Sequence, residues 1–330
     1  LSVKHILELL DSHAAGDEER LLSVALMAAA AEARAGRPED AKALKAAVQR
    51  VRNYGGGASV TPIPLARPRG ELQSIVASSY PKLGLSNMVL APAVSARLER
   101  IVRQQNERAL LRDHGQKPAT HLLLVGPPGT GKTMTSAALA GELHLPLFTV
   151  KLESLFSRYL GETAAKLRLL FDQIAQTRGV YLLDEFDAIG ARRGDPNDVG
   201  EMRRVLNSVL AFMEEPNSTD SLVIAATNHV ESLDRALGRR FDEVVEYGLP
   251  STAEASALLA ARLKKYKIGA KSLASLAPLL DGLSQAEIDR TAAAAIKEAI
   301  LEGDAHVSVD VLKALLRERR EVREHFQTRL

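Results

Sequence analysis

Five short apolar runs, Leu122–Val125, Leu147–Val150, Val180–Leu183, Leu222–Ala226 and Val244–Tyr247, punctuate the middle of this 330-residue chain. Each has the length of a buried strand, and the stretches between them are amphipathic at helical period. Residues 83–249 therefore read as α/β, a parallel sheet covered by helices. Beyond Leu249 the strand-like runs stop. Ala253–Lys265, Leu273–Leu280, Gln285–Glu302 and Asp310–Arg323 all carry a 3.6-residue period, so residues 250–330 are expected to form a small all-helical domain. The first 52 residues are helical in period too, with Ile6, Leu7 and Leu10 on one face, then Leu21, Val24, Ala25 and Ala28, and later Leu44, Val48 and Val51. So short a block buries little core by itself and must pack on something or stay marginal. Residues 53–82 join it to the α/β block. Gly55–Gly57 make that segment flexible at its start, and Pro62, Pro64 and Pro68 stiffen it afterwards, as expected of a linker.

Composition narrows the chemistry. The chain has no cysteine, which excludes a thiol nucleophile, a thiolate zinc site and a disulfide. Forty-three basic against 41 acidic residues leave a net charge of +2, so the molecule as a whole has no electrostatic reason to seek a polyanion. Nucleic acid is not the expected partner. The eight histidines are scattered without metal-ligand spacing. The longest apolar stretches, such as Leu21–Ala31, are too short to span a bilayer, and the first residues lack the pattern of a signal peptide. No membrane insertion and a cytoplasmic location are expected.

The run Leu122–Val125 leads into Gly126-Pro127-Pro128-Gly129-Thr130-Gly131-Lys132-Thr133 and then a helical pattern starting at Met134. This is a phosphate loop in its proper setting, strand before and helix after. Glycines let backbone amides turn inward around phosphate oxygens, and the helix N-terminus adds partial positive charge. Lys132 is the candidate for the β- and γ-phosphates, and the Thr133 hydroxyl for Mg²⁺. Fifty-two positions after Lys132, Tyr181-Leu182-Leu183 ends in Asp184-Glu185. Adjacent acids at a strand end can simply cap a helix. Beside a phosphate loop they complete a nucleotide site, Asp184 orienting the metal and Glu185 polarising the attacking water.

Taken together, these residues resemble the AAA+ ATPases, and specifically their core AAA subfamily, over about residues 83–325. The resemblance implies a five-stranded sheet in the order 5-1-4-3-2, a C-terminal helical lid and a small N-terminal helical domain. It implies ATP hydrolysis with Mg²⁺. Asn228, after Ala225-Ala226-Thr227, matches the sensor-1 position that places water, although a lone Asn at a strand end is also a turn former. Leu233-Asp234-Arg235-Ala236-Leu237-Gly238-Arg239-Arg240-Phe241-Asp242 is similar to the family's second region of homology. By that likeness Arg239 and Arg240 are arginine fingers for a neighbouring subunit, which implies a homo-oligomer, expected to be a hexamer. The alternative is a surface pair bridging Asp234 and Asp242.

Arg158-Tyr159-Leu160 resembles the first pore loop, with Tyr159 at the aromatic position that would grip a polypeptide client; a buried tyrosine is the alternative. Arg192 and Arg193 suggest a second central loop, and Glu201, Arg203 and Arg204 a subunit contact. The lid opens Gly282-Leu283-Ser284-Gln285-Ala286, with Gln285 where the subfamily has glycine and no sensor-2 arginine; Ser284 and Ala286 are expected to line the base. Upstream, Asn87-Met88-Val89-Leu90-Ala91 replaces the usual adenine motif, leaving Val89 to pack on the purine. The resemblance thus implies a protein-remodelling ring ATPase whose N-terminal helices dock an adaptor or a protease. Its rivals are a nucleotide-gated scaffold and a nucleic-acid motor.

Overall fold

A computed structural model describes residues 70–155, 160–187, 196–229, 238–266, 270–304 and 306–327, together with Pro68, Ile268 and scattered positions between Val24 and Val48. The chain divides into two units, Leu1–Leu65 and Ala66–Leu330. In the first, the described positions are helical and Val24, Ala28, Ala29, Ala41 and Val48 are buried, in keeping with the period expected there. The glycine-rich start of the linker lies outside the described residues.

The second unit is built on a six-stranded sheet: β1 (Val76–Ser79), β2 (His121–Val125), β3 (Leu147–Val150), β4 (Val180–Leu183), β5 (Leu222–Thr227) and β6 (Glu243–Glu246). Their spatial order is β1-β3-β4-β5-β2-β6. The five strands β2 to β6 are parallel throughout, and counted among themselves they stand in the expected order 5-1-4-3-2. The sixth is a correction. Residues 72–79 fall in the expected linker, yet Leu72–Ile75 form helix α1 and Val76–Ser79 pair antiparallel with β3, Val76 opposite Val150. Only Val76 of that strand is buried, so its sequence lacks the apolar run that marks the others.

Both faces of the sheet are covered, as a parallel sheet requires. Period-two alternation sends Leu123, Tyr181, Leu183 and Val223 to one face and Leu122, Leu124, Leu182 and Ile224 to the other. On the first face pack Leu167 and Leu170 of α6 (Leu160–Gln176) and Val205 and Val209 of α7 (Pro196–Met213), and the short α5 (Leu152–Leu155) adds Leu152 and Leu155 to the same core. On the second lie Leu98 and Ile101 of α2 (Pro92–Asn106) and Leu139 and Ala140 of α4 (Lys132–Glu142), while α3 (Arg108–Asp113) leads toward β2.

A third core belongs to the helical region: α8 (Thr252–Leu263), α9 (Ala270–Leu280), α10 (Gln285–Glu302) and α11 (Val309–Gln327) share Leu259, Leu280, Ile288, Ala292 and Leu312. Two of these helices start at full capping boxes, Ser251 with Glu254 and Ser284 with Glu287, each worth about 1 kcal/mol. Among the described residues no helix is long and apolar enough to cross a membrane.

Candidate functional site

The C-terminal ends of β2, β4 and β5 converge where the chain's strand order changes direction, the position at which open α/β sheets bind ligands. A cleft of about 740 Å³ opens there. Its floor is the loop from Val125 into α4. Gly126 has φ +148°, and a Cβ on it would lie 2.2 Å from the carbonyl oxygen of Tyr247, so only glycine lets the loop pass β6. Pro127 and Pro128 have no N–H to offer, which leaves the amides of Gly129 to Thr133 as the donors at the head of α4. The buried Thr130 hydroxyl holds the turn by donating to the Pro127 carbonyl at 2.8 Å.

Lys132 donates to the carbonyls of Gly126 and Pro127 at 2.7 and 2.8 Å, so its ammonium lies folded against the loop. Burial pushes that ammonium below its ordinary value, and the charges of Asp184 and Asp187 oppose the shift. Thr133 donates its hydroxyl to Asp184 at 2.7 Å, which brings the two expected metal ligands together. One hydroxyl and one carboxylate are the hard oxygen donors that Mg²⁺ takes from a protein when phosphates and water complete its shell. Among the described residues no cluster of three or more histidine, aspartate or glutamate side chains stands ready to hold a metal alone.

Glu185 is one of three non-glycine residues at positive φ among the described residues, at +51°. Its backbone N–H donates to the Asp184 carboxylate at 3.0 Å, and the next N–H, of Phe186, donates to the Ala226 carbonyl at 2.8 Å. The strand end is thus tied to β5 while Glu185, exposed, lines the cleft with Asn228. Strain of this kind persists only where the surroundings enforce it, and it collects at functional positions. Asp187, not foreseen from the sequence, accepts from Thr227 at 2.9 Å and fixes β5 one residue before Asn228.

The roof comes from two directions. The segment before α2 is strapped to α4 by the Glu142 carboxylate, which accepts from the Leu85 N–H at 3.2 Å; this sets Met88 and Val89 on the cleft wall. From the helical region come Leu258, Ala261 and Arg262 of α8 and Gln285, Ala286 and Asp289 of α10. Arg262 and Asp289 form an ion pair there. The structure therefore brings together Pro128 to Met134, Asp184, Glu185, Asn228, Val89 and Ala286 of the residues expected from sequence. Ser284 differs: it is buried, its hydroxyl is engaged with Glu287 as the cap of α10, and it does not line the cleft. Gly126 and Pro127 act from behind, through their carbonyls.

The arginine pair lies elsewhere. Arg239 is exposed, Arg240 donates to Glu214 at 2.8 Å, and neither lines this chain's cleft. Asp242 does not bridge them; it accepts from the N–H groups of Thr120 and His121 at 2.8 and 2.9 Å and anchors the entry of β2. Phe156 to Tyr159, Arg192, Arg193 and Asp234 lie outside the described residues, as do the side chains of Leu160, Glu201, Arg203 and Arg204.

Residues 122–249 match the family model described as ATPase family associated with various cellular activities (AAA). An AAA family ATPase of Sinorhizobium fredii, y4kL, is 40% identical over 222 residues, 67% of each chain. The chain belongs to the AAA ATPase family. It is accordingly an ATP-hydrolysing enzyme, and the cleft described above lies within the AAA region and the helices that follow it. Two further relatives are matched over about half their own length. The ATP-dependent zinc metalloprotease FtsH 3 of Sphaerobacter thermophilus is 34% identical over 68% of this chain and 47% of that one. The proteasome-activating nucleotidase of Methanoculleus marisnigri is 37% identical over 61% of this chain and 51% of that one.

Proposed function

We propose that this AAA ATPase works as a ring, a hexamer by family likeness, that uses ATP and Mg²⁺ to move a polypeptide client through its centre. The observation that supports the ring is the placing of Arg239 and Arg240 away from the chain's own cleft, one of them exposed. The cleft has Lys132 of its own, and the two arginines that do not line it can bring further positive charge to the developing phosphoryl charge of a neighbour's site. In each site the amides of Gly129 to Thr133 hold phosphate oxygens, and Lys132 turns from the loop carbonyls to the β- and γ-phosphates. Thr133 and Asp184 hold Mg²⁺, which when bound supplies charge neutralisation on those oxygens. Glu185 accepts a proton from the attacking water, and Asn228 orients that water.

The polypeptide client rests on the relatives, one named for proteolysis driven by ATP and one for activating a proteasome. Arg158, Tyr159 and Leu160 are the proposed gripping segment, the N-terminal helices the proposed dock for an adaptor or protease, and the cytoplasm the proposed location. The deciding experiment is native mass measurement of Glu185→Gln with and without ATP. Assembly to six chains on ATP is the expected result, and a monomer at saturating ATP overturns the ring.

A further inference from the structure

Gln285 opens α10 and lines the nucleotide cleft. Its side-chain oxygen is enclosed by protein and meets no hydrogen-bond donor. Ser136, Arg178 and Asp220 carry the other enclosed side-chain atoms without a hydrogen-bond partner among the described residues, and none of those three lines the cleft. An amide carbonyl left unpaired at a binding wall destabilises the empty site and rewards any ligand that brings a donor. Around it Val89, Leu258, Ala261 and Ala286 contribute apolar side chains, while the polar side chains on that side are already engaged, Arg262 with Asp289 and Asn87 with the Gly84 N–H. The phosphate end has its own polar set in Lys132, Thr133, Asp184 and Glu185. Gln285 thus carries the enclosed, unpaired polar atom of the wall where a planar base would lie.

We propose that the Gln285 carboxamide is the group that selects adenine. The inference rests on the cleft being the ATP site and adds the residue that chooses the base. A carboxamide offers one acceptor and one pair of donors side by side. Adenine presents the complement, its 6-amino donor next to the N7 acceptor, and glutamine pairs with that edge in a bidentate fashion. Guanine presents two acceptors there, O6 and N7, so one of the two contacts becomes a repulsion. Discrimination therefore comes from a lid side chain whose enclosed oxygen turns to meet the base, and it is made only when the lid and the phosphate loop are held together.

The test is calorimetric binding, with Mg²⁺ and in a Glu185→Gln background to prevent turnover. The ligands are ATP, GTP, 7-deaza-ATP and purine riboside triphosphate, which is ATP without its 6-amino group. With Gln285 present, ATP is expected to bind about tenfold tighter than the riboside analogue. Gln285→Ala is expected to bind the two alike, at the analogue's affinity, with a melting temperature close to that of the parent. Gln285→Glu keeps an acceptor and loses the donor. It should retain the preference for the 6-amino group and lose the distinction between ATP and 7-deaza-ATP. An ATP preference over the riboside that is unchanged in Gln285→Ala overturns the proposal. Failure of all four triphosphates to bind the parent overturns it differently, because the nucleotide site itself then falls.

Discussion

The backbone N–H of Ala286, at the start of α10, donates to the carbonyl of Gly129, in the middle of the phosphate loop, at 3.0 Å. This bond joins the helical region to the Gly126–Thr133 loop, so lid position and loop shape are set together. Gly129 makes the closeness possible: it has φ +78°, and a Cβ there would lie 2.8 Å from the Ser284 hydroxyl and 3.1 Å from the Ala286 methyl group. Gly129→Ala should force the lid away and strain the loop, costing about 1–3 kcal/mol. The expected outcome is a lower melting temperature and ATP affinity reduced about tenfold, read by thermal unfolding and calorimetry.

Glu185 is held at positive φ at the end of β4 by contacts on either side of it, which aim its carboxylate into the cleft without using it as a structural partner. Replacing it should therefore leave the fold alone. Glu185→Gln is expected to bind ATP with near-normal affinity and to hydrolyse it at least about 100-fold more slowly, since general-base catalysis contributes 10²–10⁴. Single-turnover hydrolysis beside equilibrium binding checks this. Unchanged turnover would remove the catalytic assignment.

These two residues also show what the sequence makes visible. Gly129 and Glu185 sit in contiguous motifs whose spacing follows from strand, loop and helix geometry, and the five parallel strands announce themselves as apolar runs. β1 does not, because Val76 is followed by Ala77, Ser78 and Ser79, which make no apolar run. Arg262 and Asp289 were equally silent. They reach the cleft because α8 and α10 pack into one core, and a residue's exposure to a cleft formed between two regions is a tertiary fact with no local pattern. Ser284 lies off the cleft for a different reason. Serine three residues before a glutamate is a capping box, and the local hydrogen bonds that start α10 engage its hydroxyl.

Asp242 gives a prediction with a pH signature. Burial alone would raise its pKa, but the His121 ring 3.8 Å away and hydrogen bonds from the Thr120 and His121 amides hold it at about 2. An aspartate depressed below its unfolded value of about 3.9 contributes stability that is fully present above that value and is lost as pH falls through about 2. Asp242→Asn should therefore be less stable than the parent at pH 7, with the gap narrowing between about pH 4 and pH 2. Urea midpoints measured across that range check it. A gap that is constant with pH would mean that the carboxylate charge is not what anchors β2.

The separation of Arg239 and Arg240 from their own cleft leads to the sharpest test of the assembled enzyme. If the arginines complete a neighbour's site, a chain lacking them still has an intact phosphate loop, and a chain lacking Lys132 still has intact arginines. Arg239→Ala and Lys132→Ala should each hydrolyse ATP at least about 100-fold more slowly than the parent, since an arginine finger is worth 10³–10⁵ in turnover. Mixed together, they should recover measurable activity, because some interfaces then pair a good loop with good arginines. Activity should rise to a maximum at an intermediate mixing ratio and vanish at both ends. Action within one chain predicts no recovery at any ratio, since every chain then carries one defect. Arg240 is tied to Glu214, so Arg240→Ala is expected to lose some local stability as well; the mixing curve of Arg239→Ala isolates the catalytic contribution from that structural one.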